Sequence, residues 1–218
     1  MPPFVVAIDG PAASGKGTLA RRLAERFGLA HLDTGRLYRA AAFIVLEAGA
    51  DPTDPAVAAS AAARVDPRQL ADPRLSDEAV ARASTVVAAI PAVREALLKM
   101  QRDFAARPPA PARGAVLDGR DIGTVVCPEA TVKLFITAGV EERAGRRVKE
   151  LRGRGAPSIY DNVLQDMKER DARDSSRRVA PLAIAPDAVV IDTTGLDADR
   201  VFEQAAEIIA RALADHGR

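Results

Sequence analysis

Apolar and polar positions alternate along the chain in two periods, and their order predicts an open α/β architecture. Phe4–Asp9 is a short apolar run closed by Gly10, the pattern of a buried strand. From Lys16 to about Phe27, Leu19, Leu23 and Phe27 recur at four-residue spacing and predict a helix. Gly28 follows at the place where a helix C-terminus favours glycine. Leu29–Leu32 reads as a second strand, and Asp33-Thr34-Gly35 opens a helix carrying Leu37, Ala41, Ile44 and Val45 that stops near Gly49.

The texture then changes. Four Asp-Pro pairs, at 51–52, 54–55, 66–67 and 72–73, punctuate an alanine-rich stretch. Proline disfavours helical geometry in the residue before it, so these pairs predict turns between short pieces. No bulky apolar pattern can be placed between Gly49 and Asp77. Two helices follow, over about Asp77–Ala89 and Ala92–Ala105, and a proline-rich loop runs from Arg107 to Gly114.

Strands return at Ala115–Leu117, ending in Asp118-Gly119, at Thr131–Ile136 and at Ala188–Ile191. Charged helices are predicted over Glu141–Arg152 and Asn162–Arg173, and an amphipathic one over Val201–Leu213. Strands separated by helices argue for a parallel sheet of about five strands with helices on both faces. The expected division is a core of 1–49 and 108–218, an inserted helical subdomain of 50–107, and a lid segment of 153–178 within the core.

Composition narrows the function. The chain has 218 residues, with 31 Lys+Arg against 30 Asp+Glu, and only six Phe and two Tyr. This balance argues against a general nucleic-acid binder, which needs a basic face. No apolar run approaches the roughly 18 residues of a membrane helix. The N-terminus MPPFVVAIDG has no basic region before its five-residue apolar run, so no signal peptide is predicted. A single cysteine, Cys127, excludes an internal disulfide and a cysteine-based zinc site, and its place between Val126 and Pro128 predicts burial. The expectation is a soluble, cytoplasmic, globular protein. Arginine outnumbers lysine 26 to 5, and alanine supplies 45 residues. The blander reading is codon bias in a GC-rich genome. Arginines can also grip phosphates as planar forks, so position has to decide which do.

The most specific feature is Gly10-Pro11-Ala12-Ala13-Ser14-Gly15-Lys16-Gly17-Thr18, between a predicted strand and a predicted helix. This is the context of a phosphate-binding loop. Its glycines let backbone N–H groups turn inward around phosphate, and the helix N-terminus adds partial positive charge. Lys16 can reach the β- and γ-phosphates, and the Thr18 hydroxyl can help hold magnesium. The strict pattern places Ser or Thr directly after the lysine, whereas here Gly17 intervenes.

The Gly-Lys-Gly-Thr variant resembles the nucleoside monophosphate kinases, and four segments sharpen the likeness: Leu32–Arg39, Ala88–Leu98, Asp118–Val125 and Lys168–Asp174, with Arg177–Leu182 close behind. Over nearly its whole length the chain resembles the bacterial cytidylate kinases. The resemblance implies a P-loop core, a helical insert that binds the nucleoside monophosphate, and a lid. It implies transfer of the ATP γ-phosphate to CMP and dCMP, with Mg2+ accompanying ATP, in a monomer with no nucleic-acid or membrane partner. It assigns catalytic roles to Lys16, Arg120 and Arg177, and ATP contacts to the phosphate loop and Arg146. It assigns Thr34, Arg39, Thr85, Arg94, Asp118, Arg120, Asp121, Arg170, Asp174 and Arg177 to the acceptor. Thr34, Arg94 and Asp121 would face the cytosine edge, and Arg170, Asp174 and Thr85 the ribose. Ser84 beside Thr85 leaves open which hydroxyl faces the sugar. Arg143, Arg146 and Arg147 would begin the lid.

Several blander roles stand beside these. Arg143, Arg146 and Arg147 could form a solvated helix face, Asp174 could pair locally with Arg170, and Arg94 could lie on a helix surface. Tyr38 reads as packing, and His31 as a satisfied strand-end residue. The chemistry agrees with the family reading. A phosphate monoester carries charge close to −2 at neutral pH and is its own nucleophile, so cationic groups matter more than a base. Acceptors such as UMP, AMP or a small metabolite, a slow nucleotide switch, and a nucleic-acid ATPase are the alternatives. A base-reading pair at Arg94 and Asp121 argues against the metabolite.

Overall fold

The computed structural model describes residues 2–216. β1 (Phe4–Asp9) feeds α1 (Lys16–Phe27), β2 (Ala30–Asp33) and α2 (Thr34–Glu47). Three helices follow, α3 (Pro55–Ala63), α4 (Glu78–Val87) and α5 (Pro91–Ala106), with 3-10 turns at Pro67–Ala71 and Pro73–Ser76. The chain then forms β3 (Gly114–Gly119), a π-type turn (Ile122–Val126), β4 (Val132–Thr137), α6 (Val140–Gly153), α7 (Tyr160–Ser176), β5 (Val189–Asp192) and α8 (Ala198–His216).

The strands make one five-stranded parallel sheet in the order β2-β3-β1-β4-β5. Asp9 is opposite Gly119 of β3 and Phe135 of β4, so β1 and β3 end side by side and β4 runs two residues further in the same direction. Ligands of parallel α/β sheets bind beyond such carboxyl ends. β1 is the central strand, and its Val6 and Ile8 are fully buried. With Leu19 and Leu23 of α1, Leu134 and Ile136 of β4, and Val201 and Ile209 of α8, they form the main core. A second cluster joins Ala144 and Val148 of α6 to Val163 and Met167 of α7, and Ala12 and Ala13 pack against it.

Packing divides the chain into two compact units, Met1–Leu32 with Ala105–Arg218, and Asp33–Phe104. α2 groups with α3 and α4 in the second unit, because its buried face (Leu37, Ala41, Val45) lies against them.

α3 is absent from the sequence reading, and its composition explains why. Its buried positions are Ala58, Ala61 and Ala62, at helical spacing but without bulk. The Asp-Pro pairs also do more than interrupt. Asp54, Asp66 and Asp72 each cap a helical start whose first residue is the following proline. Asp54 Oδ1 accepts the Ala56 N–H at 2.8 Å. Proline fits that first position because its missing N–H would have had no partner there. Cys127, expected to be buried, is only half-buried.

Candidate active site

The phosphate loop is built by a close approach that only glycine permits. Gly10 has φ 151°, and a Cβ there would lie 2.0 Å from the carbonyl oxygen of Ile136 on β4. Ala13 (φ 57°) and Gly15 (φ 91°) also take left-handed backbone, which turns the loop back into α1. The first helical bond runs from the Leu19 N–H to the Gly15 carbonyl at 3.1 Å. Lys16 is buried, and its Nζ donates to the Pro11 carbonyl at 3.1 Å, so the ammonium arches over the loop. The Ser14 hydroxyl is buried with no hydrogen-bond partner, and Thr18 is exposed on the first turn of α1.

Gly17, the departure from the strict pattern, lies beside Asp118. A Cβ at that position would stand 3.6 Å from Asp118 Oδ2. Asp118 lies at the end of β3 and is buried, and its Oδ1 is 2.8 Å from Nε2 of half-buried His31. Mg2+ prefers few protein oxygens and takes the rest from phosphate and water. The Thr18 hydroxyl and the Asp118 carboxylate fit a magnesium ion that arrives with a triphosphate. No cluster of three or more His, Cys, Asp or Glu suited to a resident metal occurs among the described residues.

A second carboxylate organises the turn after β3. Asp9 Oδ1 accepts the Ile122 N–H at 2.8 Å, and Oδ2 accepts the Gly123 N–H at 2.7 Å. Burial pushes the Asp9 carboxyl up to about 6, although both N–H bonds and nearby Lys16 oppose the shift and Asp121 adds to it. Asp121 precedes the π-type turn, is buried, and makes no side-chain capping bond to it.

Asp174 of α7 is the electrostatic centre of the first unit. It is 1% exposed and accepts the Arg120 Nε–H at 2.9 Å. It also accepts a short hydrogen bond from Arg177. Burial alone would raise its carboxyl, but the charges of Arg120, Arg177 and Arg170 outweigh burial and hold it below 3.8. Asp174 therefore gathers Arg120 and Arg177, two of the arginines expected to serve the acceptor, and feels the charge of Arg170. Its partners reach well beyond the local Arg170 pair that the sequence allowed.

Arg143 and Arg146 are not a solvated face. Arg143 is buried and donates from Nε to the Ala138 carbonyl at 2.9 Å and from Nη1 to the Ala12 carbonyl at 3.3 Å. Its Nη2 meets Asp171 of α7 at 2.6 Å. Arg146 donates to Thr193 Oγ1 at 2.9 Å, to the Thr193 carbonyl at 2.8 Å and to the Ser14 carbonyl at 3.4 Å. Arg147 pairs with Glu150 along the helix at 3.0 Å. Thus two arginines of α6 tie the outer backbone of the phosphate loop to α7 and to the end of β5.

The second unit carries its own candidates. Thr34 is buried as the first residue of α2, whose start is capped by Asp33 accepting the Arg36 N–H. Arg39 donates to the Leu75 carbonyl at 2.9 Å. Arg94 is buried rather than on a helix surface. It donates to the Ala88 carbonyl at 3.3 Å, and its guanidinium lies 5.4 Å from the centre of the Tyr38 ring. Ser84 and Thr85 both donate to the Ala81 carbonyl, but Ser84 is buried and Thr85 is half-buried.

The supports are Asp9, His31, Asp171 and Thr193, of which the sequence reading singled out only His31, as a satisfied strand-end residue. Each acts on a residue 28 to 114 positions away, through one or two hydrogen bonds. Of the others, Asp9 carried a usable signal, as a charged residue closing an otherwise apolar buried strand.

A family model described as cytidylate kinase matches residues 6–211. The cytidylate kinase of Rhodospirillum rubrum is 59% identical over 95% of this chain and 97% of its own length. That of Methylobacterium sp. (strain 4-46) is 60% identical over 94% of this chain and 96% of its own. Among solved structures, a gluconokinase from Sinorhizobium meliloti (15% identity, TM-score 0.50) covers 98% of this chain and 95% of its own. A protein from Eubacterium ventriosum (14% identity, TM-score 0.54) covers 95% of this chain and 98% of its own. These two likenesses concern the fold. On the family match and the near-full-length relatives, the chain belongs to the cytidylate kinase family.

Proposed function

We propose that the chain transfers the γ-phosphoryl group of MgATP to CMP and dCMP, giving ADP and the diphosphates. The observation that carries this reading is Asp174, a buried carboxylate that gathers Arg120 and Arg177 and feels Arg170. A cationic group of this kind suits two phosphates that repel each other, and it offers no general base because none is needed. An oxygen of the acceptor phosphate forms a bond to the γ-phosphorus as the bond from that phosphorus to the bridging oxygen breaks. ADP leaves with the bridging electrons.

Residues 10–18 and Arg146 take the ATP. Lys16, Arg120 and Arg177 are the catalytic cations, and Thr18 meets the magnesium that ATP brings. Thr34, Arg39, Thr85, Arg94, Asp118, Arg120, Asp121, Arg170, Asp174 and Arg177 serve the acceptor. Asp121 takes the cytosine amino donor that uracil lacks, while Arg94 and the Thr34 hydroxyl suit the ring's acceptors. Of the paired hydroxyls, the half-buried Thr85 is the better placed to meet a sugar. Residues 50–107 make the acceptor-binding insert. Residues 153–178 act as a lid that excludes water when both nucleotides are present. We read the enzyme as a cytoplasmic monomer working on small molecules rather than nucleic acid, in keeping with its near-neutral charge.

A coupled assay of ADP release with MgATP against CMP, dCMP, UMP, AMP, GMP and no acceptor tests this. Fast turnover confined to CMP and dCMP is expected. Fast turnover with another monophosphate would overturn the base assignment, and slow acceptor-independent hydrolysis would overturn the kinase reading.

A further inference from the structure

The turn that carries Asp121 has an unusual cap. The first N–H groups of a helical turn have no partner within it and are ordinarily met by the side chain of the preceding residue. Asp121 holds that preceding position and is a residue type suited to capping, yet its side chain makes no capping bond. The acceptor comes instead from Asp9, 113 and 114 residues earlier, whose two oxygens each take one N–H. Gly123 lies close to this carboxylate: a Cβ there would stand 3.4 Å from Asp9 Oδ2, at ordinary contact.

Asp9 is also the last residue of β1, immediately before the phosphate loop. One buried carboxylate therefore joins the strand that launches the loop to the turn that follows β3. Burying it costs enough to lift its carboxyl to about 6. An apolar residue would avoid that cost but would leave two buried N–H groups without an acceptor.

We propose that Asp9 is a positioning residue for base recognition: by capping the 122–126 turn in place of Asp121, it keeps the Asp121 carboxylate directed to the cytosine amino group rather than to its own backbone. This rests on the acceptor reading above, in which Asp121 discriminates cytosine from uracil. With Asp9 removed, Asp121 is the nearest residue able to cap the turn. The enzyme should then lose selectivity before it loses phosphoryl transfer.

Asp9→Asn tests this, because it keeps the shape but sets an N–H2 group against one of the two N–H donors. In the purified chain, the ratio of kcat/KM for CMP over UMP should fall by ~10-fold, with KM for CMP rising and KM for ATP changing by less than about twofold. A purely structural Asp9 would lower thermal stability and leave that ratio unchanged, which would overturn the proposal. Where Asp9→Asn does not fold, Asp9→Ser carries the test: its single, shorter-reaching oxygen cannot accept both N–H groups and should produce the same loss of selectivity, and a retained ratio overturns the proposal. The unsubstituted chain is assayed alongside. If it does not prefer CMP to UMP, the acceptor reading fails, and that result is distinct from a selective parent with a selective Asp9→Asn.

Discussion

Asp174 accepts the Arg120 Nε–H at 2.9 Å although the two residues are 54 positions apart. The bond links the turn after β3 to the end of α7, and Arg177, three residues past Asp174, closes the group from the other side. Asp174→Ala should leave Arg120 and Arg177 without their shared buried partner. Removing one member of such a group costs about 3–5 kcal/mol. The lowered carboxyl value means that the fold favours the ionised form. Its contribution is present above pH 3.8 and is lost as pH falls through the folded-state value. Thermal unfolding should therefore show a large deficit for Asp174→Ala at neutral pH, narrowing only in strong acid. Steady-state kinetics should show kcat reduced by at least ~100-fold, as for loss of transition-state charge contacts.

Asp9 predicts stability and selectivity moving in opposite directions with pH. Its carboxyl is raised from 3.8 to about 6, with Asp121 and Lys16 as the charged neighbours. The fold thus holds the proton more tightly than the unfolded chain does. The contribution of Asp9 to stability is fully present below pH 3.8 and is lost as pH rises through about 6, a change of about 3 kcal/mol. Urea unfolding of the parent and of Asp9→Asn should show their difference moving in favour of the parent from about pH 7 to about pH 4. The protonated carboxyl carries a donor where an N–H now points, so CMP-over-UMP selectivity should decline over the same interval.

Arg143 holds three elements with one guanidinium: the Ala12 and Ala138 carbonyls and the Asp171 carboxylate. A lysine keeps the charge but cannot form that fork. Arg143→Lys should raise KM for ATP by ~10-fold while KM for CMP changes little, because the phosphate loop loses its outer support. Equal changes in both KM values would place the role of Arg143 elsewhere.

Ser84 and Thr85 share the Ala81 carbonyl as acceptor, yet only Ser84 is buried. Ser84→Ala should therefore alter stability alone, by about 1 kcal/mol. Thr85→Ala should lower kcat/KM for CMP more than for dCMP if its hydroxyl meets the 2′-OH. Identical effects on the two substrates would remove Thr85 from the sugar site.

The sequence by itself determined the elements with strong, local signals. β1, α1 and the loop between them were legible because apolar run, glycines, lysine and helical spacing all lie within 24 consecutive residues, Phe4–Phe27. The strands of the sheet and the charged helices were legible for the same reason. α3 was not, because its buried face is alanine, which packs closely without a bulky signature. Nor could spacing reveal that the Asp-Pro pairs start helical turns rather than merely end them.

Tertiary structure decided which charges meet. The parallel register brings Asp9 level with Gly119, and so within reach of Ile122 and Gly123. The packing of α6 against α7 turns Arg143 inward to Asp171, where an arginine on an isolated charged helix would face water. The return of α7 to the end of β3 gives Asp174 its distant arginine. Periodicity along a chain reports which face of an element is buried. It carries no information about which polar group from another element will stand opposite, because that depends on sheet order and register.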